Sequence, residues 1–266
     1  MKGNSKFIKL LMMFGYTFLY LPIVVLVVFS FNDSQMVTVW SGFTTKWYGT
    51  LLQNERILNA AWMSFKIAIL AATLSTIIGT LAAMMIVRFK KFPGQSLFSG
   101  LITAPMVVPE VILGLSLLLL FVSLEQLTGW PAKRGAMTVT IAHITLSISY
   151  VVIIIRERLI GFDNSIVEAA LDLGAKPLTV FFRITLPNIS PSLMAGWLLA
   201  FTLSLDDVVL ASFTTGAGTT TLPMVIFSSI RVGVTPEINA LGTIILTIVT
   251  IGVIITGIIM NKRKAA

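Results

Sequence analysis

Long apolar stretches alternate with short polar segments along the whole chain, and six of these stretches reach membrane-spanning length. A helix needs about 20 mostly apolar residues to cross a hydrocarbon layer roughly 30 Å thick. The stretches are too long and too uniformly apolar for barrel strands, and helices satisfy their backbone polar groups internally. The pattern predicts an all-α integral membrane protein, a single domain with six transmembrane helices at residues 7–31, 60–87, 97–123, 136–155, 192–213 and 240–260.

Composition supports this fold class and narrows the possible functions. The chain is 56% hydrophobic and 11% charged, which is too apolar for a soluble protein. It contains no cysteine, which excludes disulfides, thiolate metal sites and a cysteine nucleophile. The formal net charge of +8 comes from residues scattered between the spans, so it indicates membrane topology rather than a nucleic-acid partner.

Lysine and arginine are concentrated in residues 2–9, 88–91, 156–190 and 262–264, which fall on one side of a six-span arrangement. Cytoplasmic loops carry such an excess of positive charge, so we expect both termini in the cytoplasm. The first apolar stretch is too long for a signal peptide, and no small-residue cleavage site follows it. We therefore expect it to be retained as the first span.

A polar segment at residues 156–190 follows the fourth predicted span and is much longer than a connection between neighbouring helices requires. Ser165 and Glu168 have the spacing of a capping box, which predicts a helix that begins at Ser165. Gly174 suits the end of that helix, because glycine adopts a positive φ without strain. The segment therefore predicts a helix followed by a tight turn.

A second short helix is predicted after the turn, beginning at Pro177 and stopped by Leu186-Pro187. A role in capping the helix would by itself explain why a glutamate occurs at position 168. A functional interpretation is also open, because the small side chains of Ala169 and Ala170 beside an exposed turn would let another protein approach closely. On that interpretation the hairpin is a docking element.

The stretch EAALDLGAKPLTVFFRITLP begins at Glu168 and resembles the EAA loop of ABC-importer permeases, with Glu-Ala-Ala, Gly and Leu-Pro at the family's spacing. The segments TVWSGFTTKWYGTLL, ITAPMVVPEVILGLSLLLLF, GWLLAFTLSLDDVVLASF and TTLPMVIFSSIRVGVTPEINAL are similar to polyamine (putrescine/spermidine) permeases, most of all to second permease subunits of putrescine systems. The resemblance implies a type I ABC importer permease fold in a bacterial inner membrane. It also implies that Glu168, Ala169, Ala170 and Gly174 dock in a cleft of an ATPase subunit.

The same resemblance implies a set of partners: a second, different permease subunit, two ATPase subunits and a periplasmic polyamine-binding protein. The chain contains no G-x-x-x-x-G-K-[ST] phosphate loop. We therefore expect no enzymatic activity and no bound cofactor in this chain. ATP and Mg²⁺ are expected in the partner ATPase.

Glu110, Asp206 and Asp207 lie in predicted spans, where an ionisable side chain costs about 2.5–3.5 kcal/mol and is a candidate for a functional site. If their helices are continuous, Glu110 and Asp206 lie at similar depth, about 20 Å from the cytoplasmic ends, and could flank one cation passage. Pro105 and Pro109 put that continuity in doubt. Neighbouring helical residues point about 100° apart, so we expect one aspartate to meet a cation and the other to steady the helix. Which does which stays open, as does a structural role for all three carboxylates.

Side chains of the fourth and fifth predicted spans complete the candidate passage. His143 and Tyr150 share one helical face, either lining the passage or bonding to another helix. Trp197 and Phe201 offer aromatic faces for the ammonium groups and methylene chain of a polyamine, with Tyr150 expected to face them. His143 is the single histidine, which argues against a metal site.

These observations predict a permease subunit that moves polyamines, putrescine first and spermidine second, into the cytoplasm by ATP-driven alternating access. An acidic lining favours a cationic substrate, because an anion permease would present basic groups or helix N-termini. Two alternatives stay open. One is a permease for another small cationic or neutral solute, and the other, less favoured, is an ion-coupled secondary transporter that uses the carboxylates as a cation path.

Overall fold

The computed structural model of the chain describes residues 5–35, 39–89, 92–232 and 235–265. Within these ranges the regular structure is helical, with one isolated antiparallel bridge between Asn32 and Phe43. The helices are α1 (Ser5–Phe29), α2 (Lys46–Gln53), α3 (Glu55–Arg88), α4 (Gln95–Val107), α5 (Glu110–Thr128), α6 (Ala136–Ile160), α7 (Ser165–Asp172), α8 (Pro177–Val180), α9 (Leu186–Asp206), α10 (Val209–Thr214), α11 (Leu222–Val232) and α12 (Pro236–Ala265). A π-helical turn, Phe181–Thr185, joins α8 to α9. The predicted all-α fold is confirmed.

Five helices in the described part of the chain are long and apolar enough to cross a membrane: Phe7–Phe29, Glu55–Arg88, Glu110–Thr128, Ala136–Ile160 and Pro177–Asp206. Shorter apolar helices follow at Leu222–Arg231 and Pro236–Ile251, and the sixth predicted span falls within α12. Lys2, Lys90 and Lys91, on which part of the predicted topology depends, lie outside the described residues. The location of the termini stays a prediction.

The span predicted at 97–123 is not one continuous helix, and the doubt that Pro105 and Pro109 raised about its continuity is confirmed. The chain leaves the helix at Val108, whose ψ is 133°, and a new helix begins at Glu110 after Pro109. Pro109 disfavours helical backbone in the residue before it, which accounts for the break. The comparison of depths between Glu110 and Asp206 assumed continuity, so it no longer holds.

Two predicted helix boundaries near the fifth span are wrong. Leu186-Pro187 does not stop a helix, because the backbone is helical from Pro177 to Asp206. The wide π-helical turn at Phe181–Thr185 lies where Pro187 lacks its amide donor, so the helix continues past the proline. At the other end the helix stops at Asp206 rather than continuing to residue 213, since Asp207 is extended with a ψ of 127°.

Contacts divide the chain into two compact units, Met1–Leu58 with Ile226–Ala266, and Asn59–Val225. In the first unit α12 packs against α1 and α2. The buried Asn32 organises the connection between α1 and α2: its carbonyl accepts a hydrogen bond from Trp47 Nε1 at 2.7 Å, and its amide donates to the Val39 carbonyl at 2.7 Å. These bonds hold α2 against the end of α1.

In the second unit α6 is the most deeply buried of the candidate spans, and it contacts α4, α9 and α10. Val151 of α6 lies against glycines on two other helices. A Cβ atom placed on Gly79 of α3 would lie 2.7 Å from Val151 Cγ1, and one on Gly196 of α9 would lie 3.6 Å from it. Small residues therefore allow α3 and α9 to approach α6 closely, as is usual in membrane bundles.

We predict that Gly79→Ala destabilises the protein by about 1–3 kcal/mol, because the β-branched Val151 cannot rotate away from the added methyl group. Thermal unfolding of the purified protein measures this. Gly100→Ala is the matched control, since a Cβ at this position of α4 meets nothing within 4 Å. Alanine is also the better helix former there by about 1 kcal/mol. Equal melting temperatures for the two variants would contradict the packing argument.

Candidate functional site

The carboxylate of Asp207 occupies the gap between α9 and α10 and is only 8% exposed. Its Oδ1 accepts a hydrogen bond from the Leu210 amide at 3.2 Å, and its Oδ2 accepts one from the Ala211 amide at 2.8 Å. These amides belong to the first turn of α10, where they have no carbonyl acceptor in their own helix and where the helix dipole favours a negative charge. Asp207 therefore starts α10 immediately after α9 ends.

His143 of α6 binds the same carboxylate and is almost fully buried. Its Nε2 lies 3.1 Å from Asp207 Oδ2, and its Nδ1 lies 2.6 Å from the hydroxyl oxygen of the buried Ser204 on α9. A neutral imidazole satisfies both contacts when Nε2–H donates to Asp207 and Nδ1 accepts from Ser204. The side chains of Ser204, His143 and Asp207, hereafter the histidine network, thus connect α6 with the break after α9.

Serine, histidine and aspartate also form hydrolase triads, but the histidine network is arranged differently. In such triads the serine faces Nε2 and the aspartate faces Nδ1 of the histidine. Here Nδ1 faces Ser204 and Nε2 faces Asp207, and the Ser204 hydroxyl is buried. The contacts therefore fit interhelical bonding, one of the two alternatives for His143.

Asp206 and Glu110 are exposed, in contrast to Asp207. Glu110 is the first residue of α5, where the helix dipole favours a carboxylate by about 0.3–1 kcal/mol, so its position has a structural explanation. Asp206 is the last residue of α9, where the dipole disfavours a negative charge. Neither carboxylate forms an ion pair within the described ranges. A cation near Asp206 would relieve the unfavourable charge.

Trp197 and Phe201 of α9 stack with their ring centroids 5.2 Å apart. The sequence interpretation missed that two rings of α3 extend this pair: Phe65 meets Phe201 edge-on at 5.9 Å, and Trp62 stacks on Phe65 at 6.1 Å. The ammonium group of Lys66 lies 5.6 Å from the centre of the Trp62 ring. The spacing of Trp62, Phe65 and Lys66 along one helical face was the available signal.

The structure does not group Tyr150 with these rings. Tyr150 is half-buried and packs against the cluster of Leu117, Phe121, Ala142, Leu146 and Leu210. Trp197 and Phe201 instead pack against the core shared by α3, α6 and α9. The expectation that Tyr150 faces the two rings is therefore wrong, while its role in the passage stays a prediction.

The short helix α7 and the turn after it are exposed, with Glu168 and Ala169 on the surface and Ala170 half-buried. Gly174 has a φ of +83° and donates its amide to Leu171 O at 2.9 Å, and Ala175 donates to Ala170 O at 3.1 Å. This pair of bonds is a Schellman motif, which ends the helix where the sequence predicted.

The start of α7 differs from the predicted capping box. Asn164 rather than Ser165 is the N-cap residue, without a side-chain capping bond. The Ser165 amide donates to Asp163 Oδ1 at 2.9 Å, so a charged acceptor two residues earlier takes the place of the predicted cap. Hydrogen bonds from the side chain and the backbone amide of Ser165 hold the pKa of Asp163 below its usual value.

Two arginines anchor the π-helical turn and the beginning of α9. Arg88 Nη2 donates to the Thr185 hydroxyl at 3.1 Å, and the Arg158 guanidinium donates to the Asn188 carbonyl at 3.0 and 3.3 Å. These bonds join the ends of α3 and α6 to the beginning of α9.

No cluster of three or more potential His, Asp or Glu metal ligands occurs among the residues that the structure describes.

Residues 75–263 match the family described as binding-protein-dependent transport system inner membrane component. The chain belongs to this family. Among curated proteins, the chain is 55% identical over 254 residues to the putrescine transport system permease protein PotI of Escherichia coli K12, covering 96% of this chain and 90% of that protein. It is 43% identical over 248 residues to the spermidine/putrescine transport system permease protein PotC of the same strain, covering 93% and 91%.

A solved structure supports the fold of this inner membrane component. A bacterial ABC transporter involved in the import of the acidic polysaccharide alginate superimposes with a TM-score of 0.73, covering 98% of each chain at 15% identity. At that identity the likeness concerns the fold alone. Both the histidine network and α7 lie within the residues that match the family.

We predict that His143→Ala destabilises this inner membrane component by about 1–3 kcal/mol, because it leaves the Asp207 carboxylate and the Ser204 hydroxyl with unmet hydrogen bonds in a buried place. Thermal unfolding of the purified protein measures the loss. Thr140→Val is the control one turn away, since the Thr140 hydroxyl bonds only to the Ala136 carbonyl of its own helix. If the control lowers the melting temperature as much as His143→Ala does, the network does not stabilise the break.

Proposed function

We propose that this chain is a permease subunit of an ABC importer that moves polyamines into the cytoplasm, with putrescine preferred and spermidine second. The proposal is supported by its similarity to PotI and PotC, whose names specify putrescine and spermidine/putrescine transport. The single observation in the structure that supports it best is the exposed Asp206 carboxylate at the C-terminal end of α9.

The electrostatics of α9 favour a cation at this point. The carbonyl groups at the helix end carry a partial negative charge, and the Asp206 carboxylate adds a full one. Asp207, next in the chain, is occupied by the α10 amides and His143. Of the two aspartates, we therefore assign the ammonium contact to Asp206 and the structural role to Asp207.

Trp197 and Phe201 lie earlier on α9, on a different face from Asp206, and suit a polyamine at another point of its passage. Trp197 and Phe201 offer ring faces to a methylene chain and to ammonium groups, and each cation–π contact contributes about 0.5–2 kcal/mol. The Lys66 ammonium lies 5.6 Å from the centre of the Trp62 ring, a contact of the kind proposed here for the substrate. Glu110 and Tyr150 are proposed as secondary contributors to the passage.

The exposed surface of α7 is proposed to dock onto an ATPase subunit. Glu168 and Ala169 are accessible, and large apolar side chains nearby are exposed without cover, with Leu173 89% and Leu178 73% exposed. ATP and Mg²⁺ would bind to the ATPase. The complete importer would contain this chain, a second permease subunit, two ATPase subunits and a periplasmic polyamine-binding protein. Closure of the ATPases would then move α7 and, through the helical segment Pro177–Asp206, the region of Asp206.

Asp206→Asn tests the substrate contact. We expect the concentration of putrescine that gives half-maximal uptake to rise about 10- to 100-fold, as for loss of one charge-assisted hydrogen bond. The melting temperature should not fall, because Asp206 is exposed and its charge is unfavourable at the end of α9. Asp207→Asn is the matched control. We expect its main effect to be a lower melting temperature, because Asp207 is buried and holds α10. Unchanged uptake by a correctly assembled Asp206→Asn complex would reject Asp206 as a substrate contact.

Ala169→Leu tests the docking surface. The larger side chain on α7 should abolish ATP-dependent uptake and reduce the amount of ATPase that copurifies, while the permease still inserts into the membrane. Ala132→Leu makes the same change at an exposed alanine between α5 and α6 and should leave both measurements unchanged. Normal ATPase copurification with Ala169→Leu would contradict the proposed contact.

A further inference from the structure

A pocket of about 370 Å³ lies where the ends of α3 and α6 meet the start of α4. One wall is apolar and consists of Ile86 and Val87 from α3 and Leu159 and Ile160 from α6. The other residues that line the pocket are polar: Gln95, Arg156 and Asn164. The pocket therefore combines hydrogen-bond donors with a hydrocarbon surface.

The sequence places this pocket at a membrane boundary. Arg156 is the first charged residue after the apolar run of α6, and Arg88 is the first after the apolar run of α3. The apolar wall lies immediately beside these two transitions. A ligand in the pocket can therefore reach both the hydrocarbon layer and the polar surface.

The arginines at this boundary differ in their partners. Arg88 donates to Thr185 and Arg158 donates to the Asn188 carbonyl, so both hold the beginning of α9. Arg156 is exposed and forms no hydrogen bond or ion pair with the rest of the described chain. Its guanidinium, with five donors in a planar fork, is available to an oxyanion.

No carboxylate lines the pocket to compete for Arg156. Glu157 follows Arg156 in the chain but does not line the pocket, and Asp163, in the turn after α6, accepts the Ser165 amide at its Oδ1. The Gln95 amide is held only by a 3.4 Å contact with the Ile86 carbonyl, and Asn164 makes no side-chain capping bond. Arg156, Gln95 and Asn164 therefore line one cavity together, and no carboxylate of the described residues lines it with them.

We propose that this pocket binds the phosphate headgroup of an anionic phospholipid. The Arg156 guanidinium pairs with two phosphate oxygens, which is the geometry that guanidinium and phosphate groups favour. Gln95 and Asn164 donate to the remaining headgroup oxygens, and an acyl chain lies against the apolar wall. Basic pockets between transmembrane helices at the membrane boundary recognise acidic lipids in this way.

This occupant is favoured over a soluble phosphate compound because half of the pocket is hydrocarbon. A small anion would satisfy Arg156 but would leave the apolar wall formed by Val87, Leu159 and Ile160 in contact with water. A lipid satisfies both. Because the lipid would contact α3, α4 and α6 together, it would stabilise the ends of these helices, including the end of α6 that precedes α7.

The test uses the assembled transporter reconstituted in vesicles of phosphatidylcholine that contain spin-labelled phosphatidylglycerol or spin-labelled phosphatidylcholine as a probe. Electron paramagnetic resonance reports the fraction of each probe immobilised at the protein. We expect a preference for phosphatidylglycerol that Arg156→Gln reduces about tenfold at this site, as for loss of one charge-assisted contact. Arg156→Lys, which keeps the charge without the fork, should retain part of the preference.

Lys133→Gln is the matched control, since it removes one exposed positive charge from the connection between α5 and α6 and should leave the preference intact. A second arm adds inorganic phosphate to the detergent-solubilised transporter and measures the melting temperature. Stabilisation by phosphate that equals that by phosphatidylglycerol would assign the site to a free anion and overturn the proposal. It is likewise overturned if the wild-type transporter shows no preference, or if Arg156→Gln and Arg156→Lys both keep it unchanged.

Discussion

The second unit depends on one buried carboxylate, that of Asp207. This carboxylate accepts hydrogen bonds from the first amides of α10 and from the His143 imidazole. These bonds stabilise the interruption of the helix after Asp206 inside an apolar bundle. A broken helix at that place would otherwise leave backbone donors unsatisfied, at a cost of about 1–3 kcal/mol for each buried group. The interruption leaves Asp206 at an exposed helix end, and the proposed substrate contact follows from it.

A second constraint is the continuity of the chain from the α7 hairpin to Asp206. The π-helical turn at Phe181–Thr185 allows the helix to pass Pro187, so a single helical segment connects Pro177 with Asp206. Arg88 and Arg158 attach the beginning of this segment to α3 and α6. A displacement of α7 by a partner would pass the Gly174 turn and then reach the region of Asp206 through helical backbone.

Much of this architecture was accessible from the sequence, because apolar runs and the Gly174 turn act locally. The errors arose where a proline or an aspartate had two possible effects. Pro109 breaks a helix, as its position in the sequence suggested, whereas the helix continues past Pro187 beside a π-helical turn that the sequence does not predict. The roles of the two aspartates stayed open until the contacts of Asp207 with His143 and the α10 amides were visible. Phe65 and Trp62 were missed because they lie on α3, far from Phe201 in sequence.

A structure of the assembled transporter trapped with putrescine in the membrane would show whether Asp206 meets an ammonium group during transport. We expect an ammonium nitrogen about 3 Å from the Asp206 carboxylate, with Asp207 still bonded to His143. A substrate whose nitrogens contact Asp207 or Glu110 while Asp206 faces lipid would contradict this expectation.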